Sequence, residues 1–156
     1  MRVMGIDPGT VVVGYGVVDS DEGRELMVAY GVLTAPAKLK PAERLSTLYK
    51  GLEKLVARLK PDVVAVETPF VSQNVSTALA IGRAQAVALL IAANKGIPTF
   101  EYSPAQIKQR VASYGASSKE QIQQMVKMQL GLSEIPQPSD AADALAVALC
   151  HLSEVH

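Results

Sequence analysis

Apolar and polar positions change period along the chain, and the changes mark its elements. Residues 3–7 form a short apolar run that ends at the breaker Pro8-Gly9. Residues 12–19 make a second run, interrupted by Gly14 and Gly16. Residues 25–33 alternate loosely and end near Pro36. Each run predicts a strand, and the turn residues Asp21-Glu22-Gly23 predict an antiparallel hairpin between the second and third.

The period then lengthens. Leu45, Leu48, Tyr49, Leu52, Leu55, Val56 and Leu59 recur at helical spacing, with Arg44, Lys50, Lys54 and Arg58 elsewhere on the wheel. Pro41 suits a first turn and Pro61 ends the segment. Residues 63–66 are continuously apolar, as expected of a buried parallel strand after a helix. A second helix is predicted over 76–94, stopping at Lys95-Gly96, and a fifth strand over 97–102. Three further helices are predicted over 104–113, 119–130 and 140–152. Three strands, then alternating helix and strand, then helices predict a single α/β domain spanning residues 1–156, a mixed five-stranded sheet flanked by helices.

The middle helix differs from the others. It carries Ala78, Ala80, Gly82, Ala84, Ala86, Ala88, Ala92 and Ala93, and Arg83 is its only charge before Lys95. A helix apolar on all sides must be covered all round. Either it is sandwiched within the monomer, or its small side chains admit a partner helix and the chain is a homodimer.

Composition narrows the class. Hydrophobic residues make up 49% of the chain, which excludes disorder. Cys150 is the lone cysteine, so no intrachain disulfide forms, in keeping with a reducing compartment. Asp7 comes too early for a signal peptide. The longest apolar stretch, 75–93, holds Ser76, Thr77, Arg83 and Gln85, which argues for a buried helix rather than a membrane span. These features predict a cytoplasmic protein with no membrane partner. Formal net charge is zero, which does not advertise nucleic-acid binding. Between Tyr102 and Lys119, however, Lys108, Arg110 and Lys119 occur with no acid among them. That segment is either a solvated helix face or a phosphate-binding surface.

Four carboxylates carry the candidate chemistry. Asp7 ends the first strand and Glu67 the fourth, and open α/β sheets place sites just beyond strand carboxyl ends. Asp140 and Asp143 are three apart at a helix start and share a face. Singly, each has a plain structural explanation: turn chemistry for Asp7, departure from the core for Glu67, and helix capping for the Asp140–Asp143 pair. Together they adjoin apolar segments, with no lysine or arginine from Pro61 to Gly82 or after Lys127. Acids clustered without basic partners repel unless cations hold them, and oxygen-only ligands suit magnesium or manganese. Two such ions can clamp a phosphodiester for hydrolysis.

Gly5-Ile6-Asp7-Pro8-Gly9-Thr10, Val64-Ala65-Val66-Glu67 and Ser139-Asp140-Ala141-Ala142-Asp143-Ala144-Leu145-Ala146 resemble the acidic motifs of the RuvC family of bacterial Holliday-junction resolvases. The resemblance spans essentially the whole chain, including Phe100-Glu101-Tyr102 and the segment around Lys108 and Lys119. It implies a ribonuclease H-like fold, with Asp7, Glu67, Asp140 and Asp143 as catalytic ligands of magnesium, for which manganese substitutes, two ions to a site. It implies a dimer that nicks opposed strands of four-way junction DNA, leaving 5′-phosphate and 3′-hydroxyl ends, in cooperation with the RuvAB branch-migration complex. Lys108 and Lys119 match basic residues near the cleaved strand, and Arg110 extends that basic segment as a further DNA contact. Phe70 matches an aromatic that enters the junction, although Thr68-Pro69 stiffens the loop before it and core packing is its other reading.

Two other functions compete. Asp7-Pro8-Gly9-Thr10 also resembles the phosphate loop of actin-like phosphotransferases, which clamp ATP between two such domains, whereas this chain has room for one. A non-catalytic junction-binding protein of the same fold is the second, and the four acids speak against it, because carboxylates without metal repel phosphate.

Overall fold

The computed structural model describes residues 1–9, 11–69, 74–112 and 118–156. Five strands, β1 (Arg2–Asp7), β2 (Val12–Asp21), β3 (Arg24–Thr34), β4 (Val63–Glu67) and β5 (Thr99–Tyr102), form one sheet in the order β3-β2-β1-β4-β5. β1 and β2, and β2 and β3, pair antiparallel, whereas β4 runs parallel to both β1 and β5. The hairpin, the buried parallel strand and the mixed sheet are as the sequence predicts. The strands differ from expectation mainly in length, and β5 starts at Thr99 rather than at residue 97.

Among the described residues, five helices cover the two faces. α1 (Pro41–Leu59) and α2 (Val75–Asn94) lie on one, and α3 (Pro104–Ala112), α4 (Lys119–Gln129) and α5 (Ser139–Val155) on the other. Strand alternation sorts the core between them. Met4, Ile6, Val64 and Val66 point to Leu48, Leu52 and Ile91 of the first layer, while Val3, Val63 and Ala65 point to Leu145 and Leu149 of the second.

Within the chain, the helix covered all round is α5. Every residue of α5 from Ala144 to Leu152 is buried between the sheet and the pair α3 and α4. It can lie so close because the strands beneath it carry glycine. A Cβ at Gly5 would overlap the Ala144 carbonyl oxygen, one at Gly14 the Asp140 carbonyl oxygen, and one at Gly16 the Leu145 side chain. The glycines that interrupt β2 in the sequence are thus the floor on which α5 rests.

α2 is only partly covered. Ala84, Ala88, Ile91 and Ala92 pack on α1 and the sheet, but Val75 is 59% exposed, Leu79 60% and Leu90 53%. These three share one helix face with Gly82 and Ala86. α2 is long and apolar enough to cross a membrane. Its buried side nevertheless bonds to the sheet, because Gln85 Nε2 donates to Glu101 Oε1 at 2.8 Å.

Candidate active site

Strand parity places the first two acids. Gly5 and Asp7 face α5 from β1, and Ala65 and Glu67 face it from β4. β1 and β4 are parallel neighbours, so their carboxyl ends deliver Asp7 and Glu67 side by side. α5 begins above them and supplies Asp140 from its first turn and Asp143 one turn further on. Asp7, Asp140 and Asp143 each offer a carboxylate oxygen, all within 4.8 Å of one another, and the Glu67 carboxyl is hydrogen-bonded to that of Asp7. All four acids are half-buried.

The capping explanation of Asp140 and Asp143 does not hold. The N-cap of α5 is Pro138, and no side chain caps the helix. Both carboxylates are therefore free to turn toward the strand ends.

Crowding shows in the acidities. Burial pushes the Asp7 carboxyl far above the usual range, and the neighbouring Glu67 adds to it. Burial likewise raises Glu67, against the pull of the Asp7 hydrogen bond and of Lys119 and Lys108. Burial raises Asp143 as well, although Lys119 opposes the shift. A buried carboxyl group among carboxylates keeps its proton or gains a cation. An all-oxygen donor set with this excess of acid fits hard divalent ions such as magnesium.

Basic groups do reach the cluster, though not from neighbouring sequence. Lys119, at the start of α4, places Nζ 3.3 Å from Asp143 Oδ2. Asp143 in turn raises the Lys119 pKa, so the ammonium stays charged. Lys108, on α3, lines a cleft of about 230 Å³ together with Glu67, Lys119 and Asp143. No lysine or arginine adjoins the acids in sequence, and helix packing brings Lys119 in from a separate element.

Arg110 is not part of this cleft. Its Nε lies 2.8 Å from Glu154 Oε1, near the end of α5, so the residue clips α3 to α5 rather than facing the acids. Phe70 lies outside the described residues. His151 is buried and holds Tyr102, whose hydroxyl is 2.7 Å from its Nδ1.

Sequence reasoning missed the glycine floor. The signal was present as Gly5, Gly14 and Gly16 in adjacent strands, but it acquires meaning only when the register sets Gly5 opposite Gly16 and α5 lies across both.

The family model for crossover junction endodeoxyribonuclease RuvC matches residues 3–151. A crossover junction endodeoxyribonuclease RuvC of Dehalococcoides mccartyi is 56% identical over 154 residues, covering 99% of this chain and 92% of that protein. The structure of Thermus thermophilus RuvC superposes with a TM-score of 0.90 at 34% identity, covering 99% of this chain and 95% of that one. The same protein solved in complex with a Holliday junction substrate superposes equally well, with a TM-score of 0.90 at 33% identity and the same coverage. Matched by the family model, by a relative 56% identical and by a solved structure along nearly its full length, the chain belongs to the RuvC family of crossover junction endodeoxyribonucleases.

Proposed function

We propose that this chain is a single-domain, magnesium-dependent endonuclease that resolves Holliday junctions, and that it cuts as a homodimer with one acid cluster per protomer. The observation that carries the reading is the convergence of Asp7, Asp140 and Asp143 within 4.8 Å, with Glu67 bonded to Asp7. Membership of a family of junction endonucleases supports the substrate and the hydrolytic class.

Asp7, Glu67, Asp140 and Asp143 would hold two divalent ions. Such a pair supplies an activated water and a stabilised leaving oxygen for in-line attack on phosphorus. The chain itself performs the positioning. Gly5, Gly14 and Gly16 let α5 settle against the sheet, which fixes Asp140 and Asp143 over Asp7. Lys119 holds Asp143 in place and, with Lys108, offers ammonium groups to the phosphate backbone from the wall of the cleft. These contacts carry affinity without sequence information. Phe70, three residues beyond β4 in the sequence, is proposed to reach the junction, and Arg110 to contribute to the electrostatic surface rather than to the cut.

The exposed apolar face of α2 supports the dimer. Val75, Leu79 and Leu90 leave a patch that a second copy of the same helix would cover, with Gly82 and Ala86 permitting close approach. A two-fold pair presents two equivalent sites to the two equivalent strands of a four-way junction. Cooperation with RuvAB and a cytoplasmic location follow from the family resemblance.

The test is cleavage of a synthetic four-way junction with and without magnesium or manganese, alongside nucleotide binding. Paired, symmetric, metal-dependent nicks are expected. A chain that binds the junction but never cuts it with either ion would be a non-catalytic binder, and tight ATP binding without cutting would favour the phosphotransferase reading.

A further inference from the structure

The cleft of Lys108 and Lys119 lies on the α3–α5 side of the sheet edge. On the other side, the turn that follows Asp7 borders a second notch. Gly9 lines one side, and Pro41, Arg44 and Leu45 of α1 and Ala80, Arg83 and Ala84 of α2 line the other. The acid cluster stands between the two, because Asp7 at the end of β1 leads directly into Pro8-Gly9.

This notch is lined by one arginine from each of two separate helices. Among the described residues neither arginine pairs with a carboxylate. Arg44 spends one N–H on the Ala37 carbonyl oxygen, at 3.3 Å, which leaves most of its five donors unused. Arg83 is exposed and is the one charge in an otherwise apolar helix before Lys95. The loop that leads into α1 adds exposed Lys38 and Lys40, and it is tied to the turn after Asp7 by the bond from Ala35 N to Val11 O, 2.9 Å. Glu43 is the acid nearest in sequence, and its carboxylate is engaged by the Lys40 backbone N–H. Among the described residues no carboxylate pairs with these arginines, so they are open to an incoming anion.

We propose that Arg44 and Arg83 form a second phosphate-binding site, which grips the DNA backbone on the side of the acid cluster opposite Lys108 and Lys119. The strand under attack is then held at both flanks, so its phosphate is seated over Asp7 by two sets of cations on different layers of the fold. Arginine suits the role, since its planar fork binds phosphate oxygens bidentately. The inference rests on the reading of this chain as a junction nuclease. Arg83 also borders the uncovered α2 face, so dimerisation must be measured alongside.

The experiment compares the wild-type dimer with R44Q, R83Q, the double glutamine variant, the double lysine variant and K108A. Binding of a fluorescent synthetic four-way junction in metal-free buffer is titrated from low to high salt, and steady-state cleavage is followed in magnesium. The double glutamine variant is expected to lower the salt slope by about two units, one per lost phosphate contact. Its KM should rise by about tenfold or more while kcat falls much less, because ground-state and transition-state binding are lost together. The lysine variant should restore the slope, and light scattering should report a dimer throughout. An unchanged slope and KM in the double glutamine variant, with K108A affected, would overturn the proposal. So would a loss of affinity that appears only with loss of the dimer and that lysine does not rescue. If the wild type binds the junction without cutting it, the nuclease reading fails alone, and the lowered slope would still establish the phosphate site.

Discussion

Lys119 Nζ lies 3.3 Å from Asp143 Oδ2, and the pair ties the start of α4 to the acidic end of α5. The lysine is more than half exposed, so the bond itself adds little stability. Its value is positional, since it orients one carboxylate of the cluster and leaves the other ammonium hydrogens turned to the cleft.

Lys119→Ala and Lys108→Ala should weaken junction binding, each lowering its salt slope by about one unit. Lys119→Ala should also slow cutting at saturating junction, because Asp143 loses its holder, whereas Lys108→Ala should act more on KM. Equal cutting rates and slopes for both variants and the wild type would assign these lysines to a solvated face.

Asp7→Asn, Glu67→Gln, Asp140→Asn and Asp143→Asn should each lower cleavage by about a thousandfold or more, since loss of metal catalysis costs several kcal/mol. Junction binding in metal-free buffer should persist or tighten, because a charge opposing phosphate is gone. Variants at Asp140 and Asp143 that cut normally but melt early would restore a purely structural role for the pair.

Acidity gives a separate test that needs no DNA. Asp7, Glu67 and Asp143 have raised folded-state pKa values, so between the ordinary carboxylate range and those raised values the folded chain binds more protons than the unfolded one. The metal-free protein is therefore expected to lose stability from these groups as pH rises through that interval. Magnesium should counter the loss, and Asp7→Asn should melt higher than the wild type in metal-free buffer near neutral pH. Melting curves with EDTA and with magnesium across pH check this, and pH-independent stability together with no magnesium effect would contradict it.

Gly5→Ala should unseat α5. Its new Cβ would overlap the Ala144 carbonyl oxygen and crowd the Ala148 nitrogen, both backbone atoms that cannot turn aside. A destabilisation of about 1–3 kcal/mol or more is expected, with cleavage reduced beyond what the folded fraction explains. Denaturant melts and single-turnover cutting on the folded protein separate the two effects.

Leu79→Glu should yield monomers with few paired cuts. Leu79 is 60% exposed on the free face of α2, whereas Leu89 packs against the chain's own core and would confuse the result. Light scattering combined with an assay that separates one-strand from two-strand cleavage decides it. A folded dimer that still resolves junctions would move the interface elsewhere.

The order of strands and helices was legible in the sequence because burial on a sheet or helix face imposes a period of two or 3.6 on the apolar positions. Asp7, Glu67, Asp140 and Asp143 were legible too, as acids at element ends whose motifs resemble a known family. The partner of Asp143 was not. Lys119 precedes it by more than twenty residues, and only the packing of α4 on α5 brings them within reach. The same holds for Arg110, whose engagement with Glu154 depends on how α3 lies along α5. Which apolar helix is enclosed within the chain was not legible for a related reason. Composition says that α2 and α5 are both apolar, but it does not say which of them the sheet and the other helices enclose. Tertiary structure decided that through three glycines, because a helix can lie that close to a sheet only where no Cβ stands between them.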